Sequence, residues 1–256
     1  MRTTQKLYYR DQYLTECQAN ISRLYTEAVE LDRTVAFPEG GGQEADHGII
    51  HTPVGMLRFE QVKRMYGTPC HIEGFKGVKT GGVILHLINT DDLPLLAKLQ
   101  VGMPVTVRIN ALRRARLTLS HSASHFLYAA TMNHDYELEE RTIGCHIKED
   151  SARFNFLSDE KFDGDSIRRI ESVANSLIEQ NLPIELGSLP ECPDARYWRY
   201  GGLEIPCGGT HLERPGAIGS LRIRRKNVGK GKERLICEFP EACPDVWRYH
   251  QGMITA

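Results

Sequence analysis

Apolar and polar residues alternate through much of the first hundred positions. YLTECQANISRLY, AVELDRTVAF, GGVILHLIN and MPVTVRIN show the two-residue period of strands and are rich in β-branched and aromatic residues. Glycine and proline punctuate these runs at Gly40 to Gly42, Pro53, Gly55, Gly67, Pro69, Gly81, Gly82, Gly102 and Pro104. Short strands with frequent turns predict a small β-barrel or sandwich. The period then changes. In LRRARLTLSHSASHFLYAATMNH the apolar residues Leu119, Ala123, Phe126, Leu127 and Ala130 recur at threes and fours, which predicts a helix from about Leu112. A second helix is predicted from Asp163 to Gln180, with its apolar stripe at Ile167, Ile170, Val173, Ala174, Leu177 and Ile178 and Pro183 beyond its end.

Between the two helices, TIGCHIKEDSARFNFL reads as a hairpin. PIELGSL reads as a strand, CPDARYWRYGGLEIPCGGTH as turn-rich, and SLRIRRKNVGKGKERLICEF as two strands about a Gly/Lys turn. Helices beside an antiparallel sheet make this part α+β. The expected organisation is a β-barrel domain over 1–111 and an α+β domain over 112–256.

Composition adds limits. The chain has 256 residues, 41% hydrophobic and 25% charged, with a net charge of −1. That is the profile of a globular protein, and any nucleic-acid surface on it must be local. No apolar h-region opens the chain and no apolar run reaches membrane-spanning length, so no signal peptide and no membrane partner are expected. Seven cysteines without a CxxC pair argue against a disulfide framework and for a reducing cytoplasm.

The candidate chemistry begins at HSASH, where His121 and His125 sit four apart on the predicted helix and so share one face. Two donors hold a metal poorly. CGGTH supplies two more, Cys207 and His211, again four apart, across glycines that disfavour a helix but can turn both side chains to one point. Either pair alone is commonly a surface or packing feature. Together, flanked by small residues, they make a set of imidazoles and a thiolate that suits Zn2+. His47, His86, His134 and His146 have no such partnership and read as surface or packing histidines.

HSASHFLYAA with CGGTH resembles the editing domain of alanyl-tRNA synthetase, whose pattern is HxAxH on a helix and CxGTH much later; threonyl-tRNA synthetases share that zinc pattern. LDRTVAFPEGGGQEADHG, Leu31 to Gly48, looks like the glycine-rich motif of the alanyl family. KLYYRDQYL near the N-terminus and SARFNF at Ser151 to Phe156 also fit, so the likeness runs from about Lys6 to Phe239. The length leaves no room for an aminoacylation domain. The match is therefore to the freestanding editing proteins of the AlaX family that keep an N-terminal β-barrel. This resemblance implies an ATP-independent, zinc-dependent hydrolase that removes serine, and as a second substrate glycine, from mischarged tRNA(Ala). Three positions depart from the family's pattern: Ser122 for a common threonine, Cys145 for a common serine, and Asn155 for a common aspartate. They bear on substrate preference and leave the four donors intact.

The chemistry sets its own demands. Zinc lowers the pKa of bound water to about 7 or polarises a carbonyl. Catalytic zinc usually keeps a position open, so four protein donors leave the role of His211 undecided. Neither histidine motif contains a carboxylate, unlike HExxH. Wrong and right substrates differ by one hydroxyl, so a polar side chain should read it. Thr142 is the first candidate, on the hairpin where the family places substrate-facing residues, and Ser122 the second; an ordinary strand threonine is the bland alternative for Thr142. Glycine would require exclusion of the alanine methyl by shape. Arg113 and Arg114 before the zinc helix, and Arg222, Arg224, Arg225, Lys230 and Lys232 in the last hairpin, are the candidate tRNA phosphate contacts, although charge runs are usually solvated faces. Gly40, Gly41, Gly42 and Gln43 read as a tight turn, which the resemblance places facing the editing domain. A tRNA-binding module with a structural zinc and no hydrolytic activity is the competing reading, and a zinc hydrolase of another ester or amide the third.

Overall fold

Strand alternation in the first half closes into a barrel in the computed structural model, which describes residues 2–158 and 160–252. Six strands take part: β1 Glu16–Leu24, β2 Ala28–Leu31, β3 Gly48–Thr52, β4 Gly55–Met65, β5 Val83–Ile88 and β6 Pro104–Ile109. Their order is β6-β1-β2-β5-β4-β3, and β6 pairs back onto β3, all antiparallel. Closure removes the free edges that an open sheet would expose. Val29, Leu31, Ile50, Leu57, Phe59, Val62, Ile84 and Val107 fill the interior. In β4 the inward positions change phase from Leu57 and Phe59 to Val62, and a bulge between Phe59 and Gln61 accounts for the switch. The hairpin β3–β4 was not evident from alternation.

One residue after β6, helix α1 begins and spans Ala111–His134. Asn110 caps it, its side chain accepting from the Arg113 N–H at 3.0 Å. Sixteen of its 24 residues are buried, so the helix is enclosed on nearly all sides and the predicted apolar stripe is only part of its buried surface. That explains its small polar residues. Ser122 and Thr131 return their hydroxyls to the carbonyls of Thr118 and Leu127, four residues back.

After α1 come β7 Thr142–Ile147, β8 Ser151–Leu157 and helix α2 Gly164–Glu179. β9 Glu185–Leu189, β10 Cys192–Tyr200 and β11 Leu203–Pro206 form a three-stranded sheet. β12 Arg222–Asn227 and β13 Lys232–Glu238 complete a four-stranded antiparallel sheet in the order β7-β8-β13-β12. The fold is α+β, as expected. The segment expected to be turn-rich, Cys192 to Pro206, is instead a hairpin: its polar residues sit at outward strand positions while Ala195, Trp198 and Tyr200 point into the core. Both helices pack on one face of the four-stranded sheet, over Ala152, Phe154, Phe156, Leu235 and Cys237. No helix among the described residues is long and apolar enough to cross a membrane.

Ion pairs tie the barrel to the helix-bearing half, and two of these staples are the most enclosed by partners. Asp194 on β10 receives Lys6 at 2.5 Å, Arg64 at 3.1 Å and the Gly81 N–H at 2.8 Å. The other staple is fully enclosed. Arg114 pairs with Asp46 and also donates to the carbonyls of Gln12 and Val35, each at 2.7 Å, while Asp46 accepts from the Phe37 N–H. Removing one member strands a buried charge, which costs about 3–5 kcal/mol. Arg114→Ala should therefore lower stability by about that amount in urea denaturation, whereas Arg116→Ala, half-exposed beside Glu149, should cost under about 1 kcal/mol. Equal losses would show that the Arg114 pair is not a staple.

Candidate metal centre

Helix α1 sets the first two donors. His121 and His125 are one turn apart with ring centroids at 5.1 Å. The loop after β11 brings Cys207 and His211 against them, with His211 at 4.3 Å from the His121 ring and 4.4 Å from that of His125. One ligand atom from each of the four lies within 4.8 Å of every other. Cys207 Sγ is 3.5 Å from His121 Nε2 and 3.3 Å from His211 Nε2. Tetrahedral zinc with ordinary bond lengths places neighbouring donors about 3.3–3.6 Å apart.

The surroundings fix the tautomers. Gln43 Oε1 accepts from the Thr210 backbone N–H at 3.2 Å, which settles the orientation of its amide. His121 Nδ1 lies 2.7 Å from that same oxygen, so Nδ1 carries the proton and Nε2 turns its lone pair toward Cys207. Ser122 donates its only proton to the Thr118 carbonyl and accepts from the Leu212 N–H. Towards His211 Nδ1, at 3.3 Å, it can therefore only accept, and the His211 Nε2 lone pair also faces the cluster. Partners of this kind orient metal-bound histidines.

Electrostatics agree with a cation at the centre. His121, His125 and His211 are buried. Burial pushes His121 down to about 3, and it holds His125 and His211 well below the ordinary histidine value, with the neighbouring histidines adding to the shift. All three are neutral donors at physiological pH. Burial pushes the Cys207 thiol up to about 12, opposed by the Gly209 N–H, so metal binding must displace a proton there. His125 Nδ1 is buried with no hydrogen-bond partner. Converging lone pairs, a half-buried thiol and an orphaned ring nitrogen fit a bound Zn2+, the metal this donor set suits.

Two glycines make the approach possible. A Cβ on Gly209 would lie 2.1 Å from His121 Cε1. Gly42, at φ +84°, would place a Cβ 2.3 Å from Cys145 Sγ. Gly40 and Gln43 close the expected tight turn by paired backbone hydrogen bonds. The loop then docks on β7, where Gly42 O accepts from Ile147 N at 2.8 Å, Glu44 N donates to Ile147 O, and Gly41 O accepts from Cys145 Sγ.

The expected site residues take the following places. Ser122 is enclosed, and its hydroxyl donates to the Thr118 carbonyl, accepts from the Leu212 N–H and lies 3.3 Å from His211 Nδ1. Thr142 is half-buried at the start of β7 and donates to the Leu138 carbonyl at 2.8 Å. Arg114 is engaged by Asp46, and Arg113 by Glu44, Glu149 and the Ala45 carbonyl. Arg225 is held by both oxygens of buried Glu233. Arg222, Lys230 and Lys232 are exposed, and Arg224 is exposed beside Glu238. Sequence reasoning missed Gln12, which clamps the His211 backbone at both N–H and carbonyl, and Thr118, which holds Thr210. Only the position of Thr118, three residues before His121, could have signalled it.

No family model matches the chain. It is 29% identical to alanine–tRNA ligase of Ignicoccus hospitalis over 246 residues, covering 86% of this chain and 24% of that protein. The ligase of Haloquadratum walsbyi is 28% identical, with 94% and 26% covered. That of Pyrococcus furiosus is 27% identical, with 98% and 27% covered. The chain is thus homologous, over most of its length, to about a quarter of the length of these ligases.

Gln43→Ala should weaken zinc affinity about 10- to 100-fold in competition with a chromophoric chelator, while His121→Ala should abolish stoichiometric binding. Unchanged affinity in Gln43→Ala would remove Gln43 from the site. Acid should destabilise chelator-stripped protein. The His121 value lies near 3 when folded and near 6.5 when not, so the unfolded chain binds more protons between them and stability falls as pH drops through that window.

Proposed function

We propose that this protein is a zinc-dependent aminoacyl-tRNA deacylase, acting in trans in the cytoplasm on tRNA(Ala) that carries serine and, secondarily, glycine. The observation that carries this reading is the buried donor set His121, His125, Cys207 and His211, held by Gln43 of the glycine-rich loop. Homology to alanine–tRNA ligases supports tRNA(Ala) as the carrier. The likeness of HSASH, GGGQ and CGGTH to the editing motifs supports hydrolysis over ligation.

A zinc ion held by these residues would activate a water or polarise the ester carbonyl. The chain's own residues do the positioning. His121 and His211 keep their Nε2 atoms inward through Gln43 and Ser122. Three histidines are buried while Cys207 is only partly so, which leaves the Cys207–Gly209 side for approach. A cleft of about 240 Å³ lined by Tyr9, Arg10, Gln12, Leu186 and Arg196 adjoins Gly209 there. Arg196 stacks over Tyr9, 4.4 Å from its centroid, and the pair suits a terminal nucleotide beside the ester. Thr142, its proton committed to Leu138, keeps lone pairs that can accept from a seryl hydroxyl and find no partner on alanine.

The competing reading, a tRNA-binding module with a structural zinc, draws on the same four donors, because four protein ligands can close the coordination shell. Deacylation of Ser-tRNA(Ala) with and without a chelator separates the two. Zinc-dependent release of serine is expected; tRNA binding without release would favour the module. Thr142→Val should lower kcat/KM for the seryl substrate about fivefold, the equivalent of about 1 kcal/mol. It should also relax rejection of Ala-tRNA(Ala), with zinc content unchanged. An unaltered serine-to-alanine ratio would mean that shape or backbone groups do the reading.

A further inference from the structure

The four-stranded sheet has one face covered by helices and one face open. Along β8 and β13 the residues Ala152, Phe154, Leu235 and Cys237 point to the helices. Their alternates, Arg153, Asn155, Arg234 and Ile236, therefore point the other way. On this face Arg153, Arg234 and Ile236, with His146, Lys148, Ser151, Arg224 and Lys226, line a cleft of about 280 Å³. We propose that this cleft is a binding site for the phosphodiester backbone of RNA. The proposal rests on the reading of the substrate as an aminoacylated tRNA.

Charge carries the argument. Of the acidic groups beside the cleft, Glu238 pairs with Arg224, Glu44 with Arg113 and His146, and Glu149 with Arg113 and Arg116, while Asp150 accepts from the Ser151 hydroxyl. Among the described residues, Lys148, Arg153, Lys226 and Arg234 have no carboxylate partner. Lys226 and Arg234 sit directly opposite each other in the β12–β13 register, an arrangement of like charges that destabilises a sheet. Arg153 Nε is buried with no hydrogen-bond partner, and the other end of that guanidinium meets only His146 Nδ1 at 3.4 Å. Arg234 donates to the neutral amide of Asn155 at 2.7 Å, where the related motif commonly has aspartate. Burial, and then the charge of Arg153, push Arg234 below the ordinary arginine value. A cluster of cations that repel one another and lack anions is complementary to a polyanion that supplies them.

Placement fits the proposal. β7 is the edge strand of this sheet. Its Cys145 packs against the glycine-rich loop, while the next residue, His146, turns to the cleft and donates its Nε2–H to the carboxylate of Glu44, the neighbour of Gln43. This edge links the cleft, through His146 and Glu44, to the loop whose Gln43 holds His121.

The test measures binding of unacylated tRNA(Ala) transcript to zinc-loaded protein by fluorescence anisotropy across a range of KCl concentrations. Arg153→Gln and Lys226→Glu should each weaken binding and lower the slope of log K against log salt by somewhat under one unit. Lys98→Glu, exposed on the barrel domain, should change neither. Lys226→Glu should also raise Tm, because it pairs with Arg234, so weaker binding could not be blamed on unfolding. Unchanged slopes in both cleft variants would overturn the proposal. So would equal competition by inorganic phosphate or polyglutamate at matched charge concentration, which would make the cleft a site for free phosphate or for any polyanion. On Ser-tRNA(Ala), KM should rise while kcat holds. Absence of any hydrolysis, with the slope changes intact, would overturn the deacylase reading and leave the cleft standing.

Discussion

One buried amide ties the molecule together. Gln43 belongs to a loop of the barrel domain, has no exposed surface, and joins its oxygen to the His121 ring and the Thr210 backbone while its nitrogen donates to the Thr210 hydroxyl. Those partners come from the helix and the loop that bear the metal donors. Removing the side chain would leave buried groups unpaired, at about 1–3 kcal/mol each. The His121 tautomer, the seat of the CGGTH loop and the docking of the glycine turn all follow from this contact. The turn can reach so deep because Gly42 has no Cβ to meet Cys145.

Arginine does two jobs here, and carboxylates within reach decide between them. Arg113, Arg114 and Arg225 are held by Glu44 and Glu149, by Asp46, and by Glu233. They fasten helix to barrel and strand to strand. Arg153 and Arg234 meet only a histidine and an amide. A net charge of −1 conceals this sorting, because the sum weighs paired and unpaired cations alike. The repulsion between Lys226 and Arg234 costs the sheet stability, and a local field is what that cost maintains.

The metal centre is polar machinery in an apolar setting. Desolvation keeps three imidazoles neutral and Cys207 protonated in the absence of metal. Such a site is poised to take a cation and to release a proton as it does so. Trp198, its ring 4.8 Å from that of His125, and Phe126 behind it close the inner side, which directs approach to the rim at Cys207.

Local patterns determined a good deal. A period of two marked most of the barrel strands, a period near 3.6 marked both long helices, and four-residue spacings marked the four donors, because such signals depend on neighbours in the chain. They did not reveal the strands over Gly48–Thr52 and Gly55–Met65, where glycines and a bulge break the alternation. Nor did they reveal the Cys192–Pro206 hairpin, whose outward faces carry charged residues. What only the tertiary structure decided was which groups meet across long stretches of chain. The Ser122 hydroxyl, inside the HSASH motif, meets His211 from 89 residues away. Arg114 is a buried staple with Asp46. Gln12 meets His211 from 199 residues away. The nature and spacing of a donor are local properties; its protonation, its orientation and its freedom to bind depend on burial and on partners that folding brings from elsewhere in the chain.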